Sequence, residues 1–63
     1  MSYELIRQAR ESLGMSAEKL ARELDVSTAT IRSWESGKTE PRLSQAIQLA
    51  AILGFEPMDL AGE

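Results

Sequence analysis

The sequence predicts an all-α fold, a compact bundle of five short helices that forms one domain over residues 1–63. Apolar residues recur three and four positions apart, as on one face of a helix, and no segment shows the alternation of a strand. Ser residues precede these segments and Gly residues follow them, which marks helix starts and ends. A chain of this length buries only about 60% of its unfolded surface, so the fold must rest on packing or on association with a second copy.

The first helix is expected to begin after Ser2, a candidate N-cap, and to end before Gly14, where a left-handed residue stops a helix at little cost. The apolar face of this helix consists of Leu5, Ile6, Ala9 and Leu13. Ser16 is the candidate N-cap of the second helix, and Glu18 places negative charge in its first turn. The buried stripe of the second helix consists of Ala17, Leu20, Ala21 and Leu24.

The third helix is expected to run from Thr28 to about Glu35, behind an N-cap at Ser27, and to end in a left-handed turn at Gly37. The side chains of this helix that we expect to be buried are Ile31 and Trp34.

The fourth helix is predicted over Leu43–Leu53, with Gly54 as its stop. Its apolar residues are Leu43, Ala46, Ile47, Leu49, Ala50 and Leu53. Glu56 then has the position of an N-cap, with Pro57 as the first helical residue, so we expect a short fifth helix over residues 57–60.

Charge is distributed unevenly along the chain, whose net charge is −3. Residues 1–42 hold all seven basic residues and seven acids and are therefore neutral, whereas residues 43–63 hold three acids and no base. Any surface that faces an anionic partner must therefore lie in residues 1–42.

Several classes of protein are excluded by composition. The chain has no Cys and no His, so neither a disulfide nor an ordinary zinc site is expected, and no other cofactor or small-molecule ligand is indicated. No basic region followed by an apolar stretch opens the chain, and no apolar run reaches the ~20 residues that span a bilayer, so we expect neither a signal peptide nor a membrane segment. An enzyme is not expected either, because the sequence has no Gly-rich phosphate loop and no paired carboxylates on one helix face.

The most informative feature is the short connection between the second and third helices at Asp25 and Val26. Two helices joined by so tight a turn must cross steeply. Ala21 is small where the two helices meet, and Val26 fills the elbow between them. This is the sequence form of a helix-turn-helix over about residues 17–35, whose second helix can enter the DNA major groove.

Three motifs follow one another along the chain: Gly14-Met15-Ser16-x-x-x-Leu20-Ala21, Val26-Ser27-x-x-Thr30-Ile31 and Trp34-Glu35-Ser36-Gly37-Lys38-x-x-Pro41. With Leu49-Ala50 and Leu53-Gly54 in the fourth helix, they resemble the lambda-repressor-like (Xre or Cro type) helix-turn-helix family over about residues 5–60. The resemblance implies a five-helix fold and sequence-specific binding of double-stranded DNA, commonly as a dimer on a palindromic operator.

Two positions depart from the pattern of this family. Ala17 stands where many members have a Gln that contacts phosphate or braces the third helix, so one polar contact is missing. Asp25 stands at the turn position that Gly usually holds, and Asp tolerates the left-handed region better than most residues.

The third helix carries the predicted base contacts, which are the groove-facing residues Thr28, Ala29, Arg32 and Ser33. Arg32 is the foremost of them, because its guanidinium fork matches the O6 and N7 acceptors of guanine. The alternative is that Arg32 contacts phosphate or pairs with a nearby acid.

Phosphate contacts are predicted at helix N-termini and in the loop after the third helix, at Ser16, Ser27, Lys38, Thr39 and Arg42. The alternative is a solvated basic loop beside Glu40. The resemblance also implies a partly buried ion pair between Arg10 and Glu35, which would tie the first helix to the end of the third.

The leading hypothesis is a cytoplasmic transcription regulator of bacterial or phage type, most simply a repressor, which is nucleoid-associated when it binds double-stranded DNA. Phage repressors, restriction-modification controllers and antitoxins all use domains as small as this one. We expect a homodimer, with Phe55 and Met58 as its C-terminal contacts, although Phe55 would serve equally well in the core.

The second hypothesis is a protein-interaction module, antitoxin-like or a scaffold, that keeps the fold and binds DNA weakly or not at all. The acidic balance, Ala17 and the sparse hydrogen-bonding groups of Thr28-Ala29 favour it. Binding to random duplex that weakens as salt rises would separate the two hypotheses.

Overall fold

Four α-helices account for most of residues 3–55, the part of the chain that the computed structural model describes. They are α1 over Tyr3–Ser12, α2 over Ala17–Leu24, α3 over Thr28–Glu35 and α4 over Leu43–Leu53. The predicted all-α class is confirmed for these residues. The N-cap predicted at Ser2 and the fifth helix predicted over residues 57–60, with Glu56 as its N-cap, lie outside the described residues.

Serine side chains begin α2 and α3 with the same hydrogen bond. Ser16 Oγ accepts the backbone N–H of Lys19 at 3.0 Å, and Ser27 Oγ accepts that of Thr30 at 3.1 Å. Each bond satisfies one of the N–H groups that the first turn of a helix leaves unpaired. Each such cap contributes about 1 kcal/mol to helix stability, so both starts are fixed by local chemistry, as the sequence predicts.

A residue in the left-handed region follows each of the four helices. The φ angles are 66° at Gly14, 58° at Asp25, 80° at Gly37 and 82° at Gly54. Behind Asp25, the N–H of Val26 donates to the Ala21 carbonyl at 3.0 Å, which closes α2 and reverses the chain before α3 begins. Asp25 takes this conformation at a higher cost than Gly would, because its Cβ crowds the following carbonyl.

Each helix contributes one large, fully buried side chain to the core. These side chains are Ile6 of α1, Leu20 of α2, Ile31 of α3 and Leu49 of α4. Trp34 lies beside them, only 3% exposed. Full burial of one such side chain stabilises the fold by about 1.5–3 kcal/mol before the entropy of ordering is subtracted.

The apolar spacing overstates the core at three positions. Leu13 is 55% exposed, because α1 ends at Ser12 and the helical spacing no longer applies in the turn that follows. Leu43 is 76% and Ile47 50% exposed, since these residues lie on one face of α4, one turn apart, while the opposite face enters the core. The core side of α4 consists of Ala46, Leu49, Ala50 and Leu53.

The packing of the bundle leaves one side of α3 open. α3 packs on α1 and α2, and α4 packs on the same two helices. α3 is therefore anchored from behind by Ile31 and Trp34, and its most exposed residues, Ala29 and Arg32, lie on the open side. Among the described residues, no helix is long and apolar enough to cross a membrane.

Candidate nucleic-acid interface

The outward side of α3 carries the four residues that were predicted to contact bases. Ala29 and Arg32 are exposed, whereas Thr28 and Ser33 are half-buried. Because Ile31 and Trp34 occupy the opposite side, no predicted base contact is also a core residue. The exposed pair, Ala29 and Arg32, can therefore change without loss of the packing that holds α3.

An open groove of about 500 Å³ runs along this side of α3. It is lined by Ala29, Arg32, Ser33, Ser36 and Lys38. Three of the predicted base contacts and one predicted phosphate contact therefore share one concave surface, whereas Thr28 lies outside its lining. The groove combines a methyl group, hydroxyls, a guanidinium and an ammonium, the groups that DNA-binding proteins use on base edges and phosphates.

The candidate phosphate contacts in the two helix starts, Ser16 and Ser27, differ in how far their hydroxyls are already used. Ser16 Oγ accepts one hydrogen bond, from the Lys19 amide, and a hydroxyl that accepts can still donate. Ser27 Oγ accepts the Thr30 amide and is also bonded to Thr30 Oγ1 at 2.9 Å. Ser16 Oγ therefore has one hydrogen bond fewer within the chain than Ser27 Oγ.

The remaining phosphate candidates lie between α3 and α4. Lys38, Thr39 and Arg42 are all exposed. The Arg42 backbone N–H donates to Gln45 Oε1 at 2.8 Å, which uses the amide within the chain and leaves contact with a partner to the side chain. Lys38 lines the groove of α3, and neither Thr39 nor Arg42 is part of that lining.

A nearly buried ion pair joins α1 to the end of α3. Arg10 Nε lies 2.7 Å from Glu35 Oε2, and one terminal nitrogen of Arg10 lies 3.2 Å from Glu35 Oε1. The other terminal nitrogen donates to the Met15 carbonyl at 2.9 Å. These contacts with Glu35 raise the pKa of Arg10 against the opposing effect of burial, so its guanidinium stays charged. The planar fork thereby fixes α3 relative to α1.

An exposed ion pair joins α2 to the outward side of α3. One terminal nitrogen of Arg32 lies 3.4 Å from Glu18 Oε2, and the side chains are 61% and 57% exposed, respectively. The predicted guanine-binding residue is therefore in contact with an acid of the chain itself. Pairs this exposed contribute little to stability, at most about 1 kcal/mol.

A second, smaller groove of about 340 Å³ lies where α1 meets α3. It is lined by Arg7, Arg10, Glu11, Arg32, Glu35 and Ser36. Sequence reasoning missed Arg7 and Ser36 as neighbours of the site. Arg7 could have been found from the sequence, because it lies three residues before Arg10 on one helix and the two therefore share a face. That Arg32 pairs with a nearby acid was the alternative that the sequence left open, but Glu18 was not identified as this acid, since no local spacing links residues fourteen positions apart.

The closely connected pair of α2 and α3, with its open outward side, defines the helix-turn-helix class of protein. Within that class, residues 6–60 match the family described as Helix-turn-helix, and the match covers most of the chain. The chain belongs to this family, in its lambda-repressor-like (Xre) branch. The family is one of DNA-binding transcription regulators and not a class of enzymes.

Two curated relatives of the chain come from archaea. The chain is 43% identical over 54 residues to a protein of Archaeoglobus fulgidus that is assigned by name to the HTH-type transcriptional regulatory proteins. That match covers 86% of the chain and 17% of the relative, so the chain spans a minor part of that protein. An uncharacterized HTH-type transcriptional regulator of Methanothermobacter thermautotrophicus is 38% identical over 55 residues, 87% of the chain and 80% of the relative.

A solved structure with the same fold is that of the P22 c2 repressor protein in complex with a synthetic operator. The TM-score is 0.88 at 30% sequence identity, and the match covers 95% of this chain and 91% of the repressor chain.

Proposed function

We propose that the chain regulates transcription by binding double-stranded DNA, with α3 in the major groove and base contacts from Thr28, Ala29, Arg32 and Ser33. The observation that carries this proposal is the groove along α3, where Ala29, Arg32 and Ser33 lie together with Lys38. The likeness to a repressor solved on an operator supports the same function. Residues 1–63 would then form one DNA-binding domain, with the helix-turn-helix over about residues 17–35.

Repression is the simplest mode of regulation for this domain. The fold offers an outward helix for DNA, and a bound domain of this kind can block access to the site it covers. The N-termini of α2 and α3, with Lys38, Thr39 and Arg42, would position the domain on the backbone without reading sequence. We further propose that the protein acts in the cytoplasm, where DNA is accessible to it.

A homodimer on a palindromic operator would compensate for the low charge of the binding surface. Residues 1–42 are neutral overall, so one domain can make few net electrostatic contacts, and two domains on adjacent half-sites double them. Half-sites would lie about one helical turn, roughly 34 Å, apart. Phe55 packs partly against the core, which supports its role there and leaves part of its ring for a partner. Met58, the other candidate, lies outside the described residues.

Selection of bound sequences from random duplexes tests the proposal directly. The unsubstituted chain should enrich a two-fold symmetric site, and a band-shift titration on that site should give two chains per duplex. Arg32→Ala should abolish the preference at one position in each half-site. Arg22→Ala is the matched control, because it removes the same charge from an exposed position of α2 and should leave every preference intact. Uniformly weaker binding with unchanged preferences would reduce Arg32 to a phosphate contact.

A protein-interaction module is the second candidate function. The exposed side chains of Leu43 and Ile47, one turn apart on α4, favour it, because large apolar groups in a row are typical of protein contact sites. Binding to random duplex over a range of salt separates the candidates. A log–log slope that reports several phosphates supports DNA binding, and no binding even at low salt supports the interaction module.

A further inference from the structure

We propose that Glu18 is a specificity-determining residue of the interface, which holds Arg32 and disfavours contact between Arg32 and phosphate. The inference rests on the proposed DNA binding and adds to it a residue of α2 that none of the predicted contacts includes. It starts from the contact of 3.4 Å between the Glu18 carboxylate and one terminal nitrogen of Arg32.

The geometry leaves most of the Arg32 fork available. A guanidinium has five N–H donors, and the bond to Glu18 Oε2 uses one of them. Arg32 lines both the groove shared with Ala29 and the groove shared with Arg7, so this residue borders both. Tethering by Glu18 from α2 restricts where the remaining donors can reach. An arginine restricted in this way loses less freedom when it binds a base edge.

Charge distinguishes the two kinds of DNA acceptor. A phosphate is an anion, and it would approach Arg32 beside a carboxylate of the same sign as itself. The O6 and N7 atoms of guanine are neutral acceptors, to which Glu18 presents no like charge. Every DNA sequence presents phosphates, whereas only some positions present guanine. Glu18 therefore disfavours contact between Arg32 and phosphate more strongly than contact between Arg32 and guanine.

Because the Arg32–Glu18 pair is exposed, its contact can break and re-form, and its discrimination between phosphate and guanine is modest. With 61% and 57% of their side-chain surfaces exposed, Arg32 and Glu18 are well hydrated, and salt screens their attraction. Loss of the carboxylate is therefore expected to change binding constants by a few-fold rather than by orders of magnitude.

Glu18→Gln tests the inference, because the amide keeps the shape and the acceptor oxygen of Glu18 but removes its charge. Affinity for the selected operator and for random duplex is measured by fluorescence anisotropy over a range of salt. We expect binding to random duplex to tighten about three- to five-fold more than binding to the operator. The log–log salt slope on random duplex should steepen by about one phosphate equivalent, as Arg32 gains a backbone contact.

Glu23→Gln is the matched control, because it removes the same charge from an exposed position on the same helix. It should tighten binding to the operator and to random duplex equally, and so leave the ratio of the two affinities unchanged. If Glu18→Gln and Glu23→Gln gave the same ratio of operator affinity to random-duplex affinity, the inference would be overturned, since the effect would then be one of net charge alone.

A double substitution shows whether Glu18 acts through Arg32. Glu18 also adds to the electrostatic field around Arg10, so a second route exists. When Arg32 is already replaced by Ala, Glu18→Gln should change the ratio of operator affinity to random-duplex affinity no more than Glu23→Gln does. A full effect in that background would overturn the inference. Failure of the unsubstituted chain to bind any duplex would instead overturn the proposed function, so the two failures are distinguishable.

Discussion

The two Arg–Glu pairs of this domain have the same chemistry and opposite surroundings. Arg10 and Glu35 expose 11% and 9% of their side chains and share two contacts, at 2.7 and 3.2 Å. Arg32 and Glu18 expose more than half of theirs and share one contact at 3.4 Å. Burial decides what each pair can do, because a buried charge without its partner is costly and an exposed one is rehydrated. The first pair therefore belongs to the scaffold, and the second is the one that the proposed function requires to exchange its partner for DNA.

The largest effect should come from removal of one charge of the buried pair. Glu35→Gln leaves the Arg10 guanidinium buried without a counter-charge, so we expect a loss of about 3–5 kcal/mol in the free energy of unfolding. A domain of this size has about 3–9 kcal/mol in total, so the variant should be largely unfolded in mild urea. Urea unfolding followed by circular dichroism measures the loss.

Joint replacement of the buried pair is the control for that experiment. Arg10→Met with Glu35→Leu removes both charges and keeps most of the volume, so stability should recover relative to Glu35→Gln. A loss below about 1 kcal/mol for Glu35→Gln would show that water reaches Arg10, in conflict with the 11% exposure of its side chain.

The next effect concerns binding rather than folding. Arg32→Ala should weaken binding to the selected operator by about 1–3 kcal/mol, because a bidentate contact with guanine is lost. The free energy of unfolding should change by no more than about 0.5 kcal/mol, since the side chain is exposed. Calorimetric titration with operator duplex and urea unfolding give the two numbers. A stability loss as large as that of Glu35→Gln would contradict the separation of the two pairs.

A smaller effect is expected at the turn between α2 and α3. Asp25 has a φ of 58°, and Gly takes this conformation without the crowding of a Cβ. Asp25→Gly should therefore raise the free energy of unfolding by about 0.5–1 kcal/mol, which corresponds to a rise in Tm of roughly 3–6 °C. Differential scanning calorimetry measures the shift, and Asp25→Ala should lower Tm instead. The Gly variant also provides a more stable background in which to measure Glu35→Gln.

The smallest change in stability should follow loss of the exposed pair. Glu18→Gln should lower the free energy of unfolding by less than about 0.5 kcal/mol, and the small difference should vanish in high salt. The loss caused by Glu35→Gln should persist under the same conditions, because salt screens buried charges poorly. Parallel urea titrations at low and high salt make this comparison. Equal salt dependence of the two losses would show that burial is not what separates the pairs.

Local chemistry made most of the fold predictable from the sequence. Ser16 and Ser27 mark the starts of α2 and α3, and left-handed residues such as Gly37 mark helix ends, so the predicted bounds of these helices agree with the structure. The errors lie at Leu13, Leu43 and Ile47. Apolar spacing identifies a helix face but not whether a neighbouring element covers it, and nothing in the described part of the chain fully covers these three residues.

Only the part of the candidate site that lies on α3 alone could be predicted from the sequence. The residues of α3 that face outward follow from the positions of Ile31 and Trp34 alone. Arg7 and Glu18 join the site from other helices, because packing of α1 and α2 on α3 brings them close. Side-chain contacts between helices depend on how the helices are set against one another, and no spacing along the chain encodes that arrangement.

The placement of one fully buried residue in each of the four described helices has a consequence for the lifetime of the active protein. Because Ile6, Leu20, Ile31 and Leu49 lie in one cluster, no helix can detach without opening that cluster. We therefore expect the slowest amide hydrogens of α1 to α4 to exchange through one common opening of the domain. A protease that cuts the opened chain would then destroy α3 and its scaffold together, so each molecule would be lost whole rather than trimmed to a partly folded fragment.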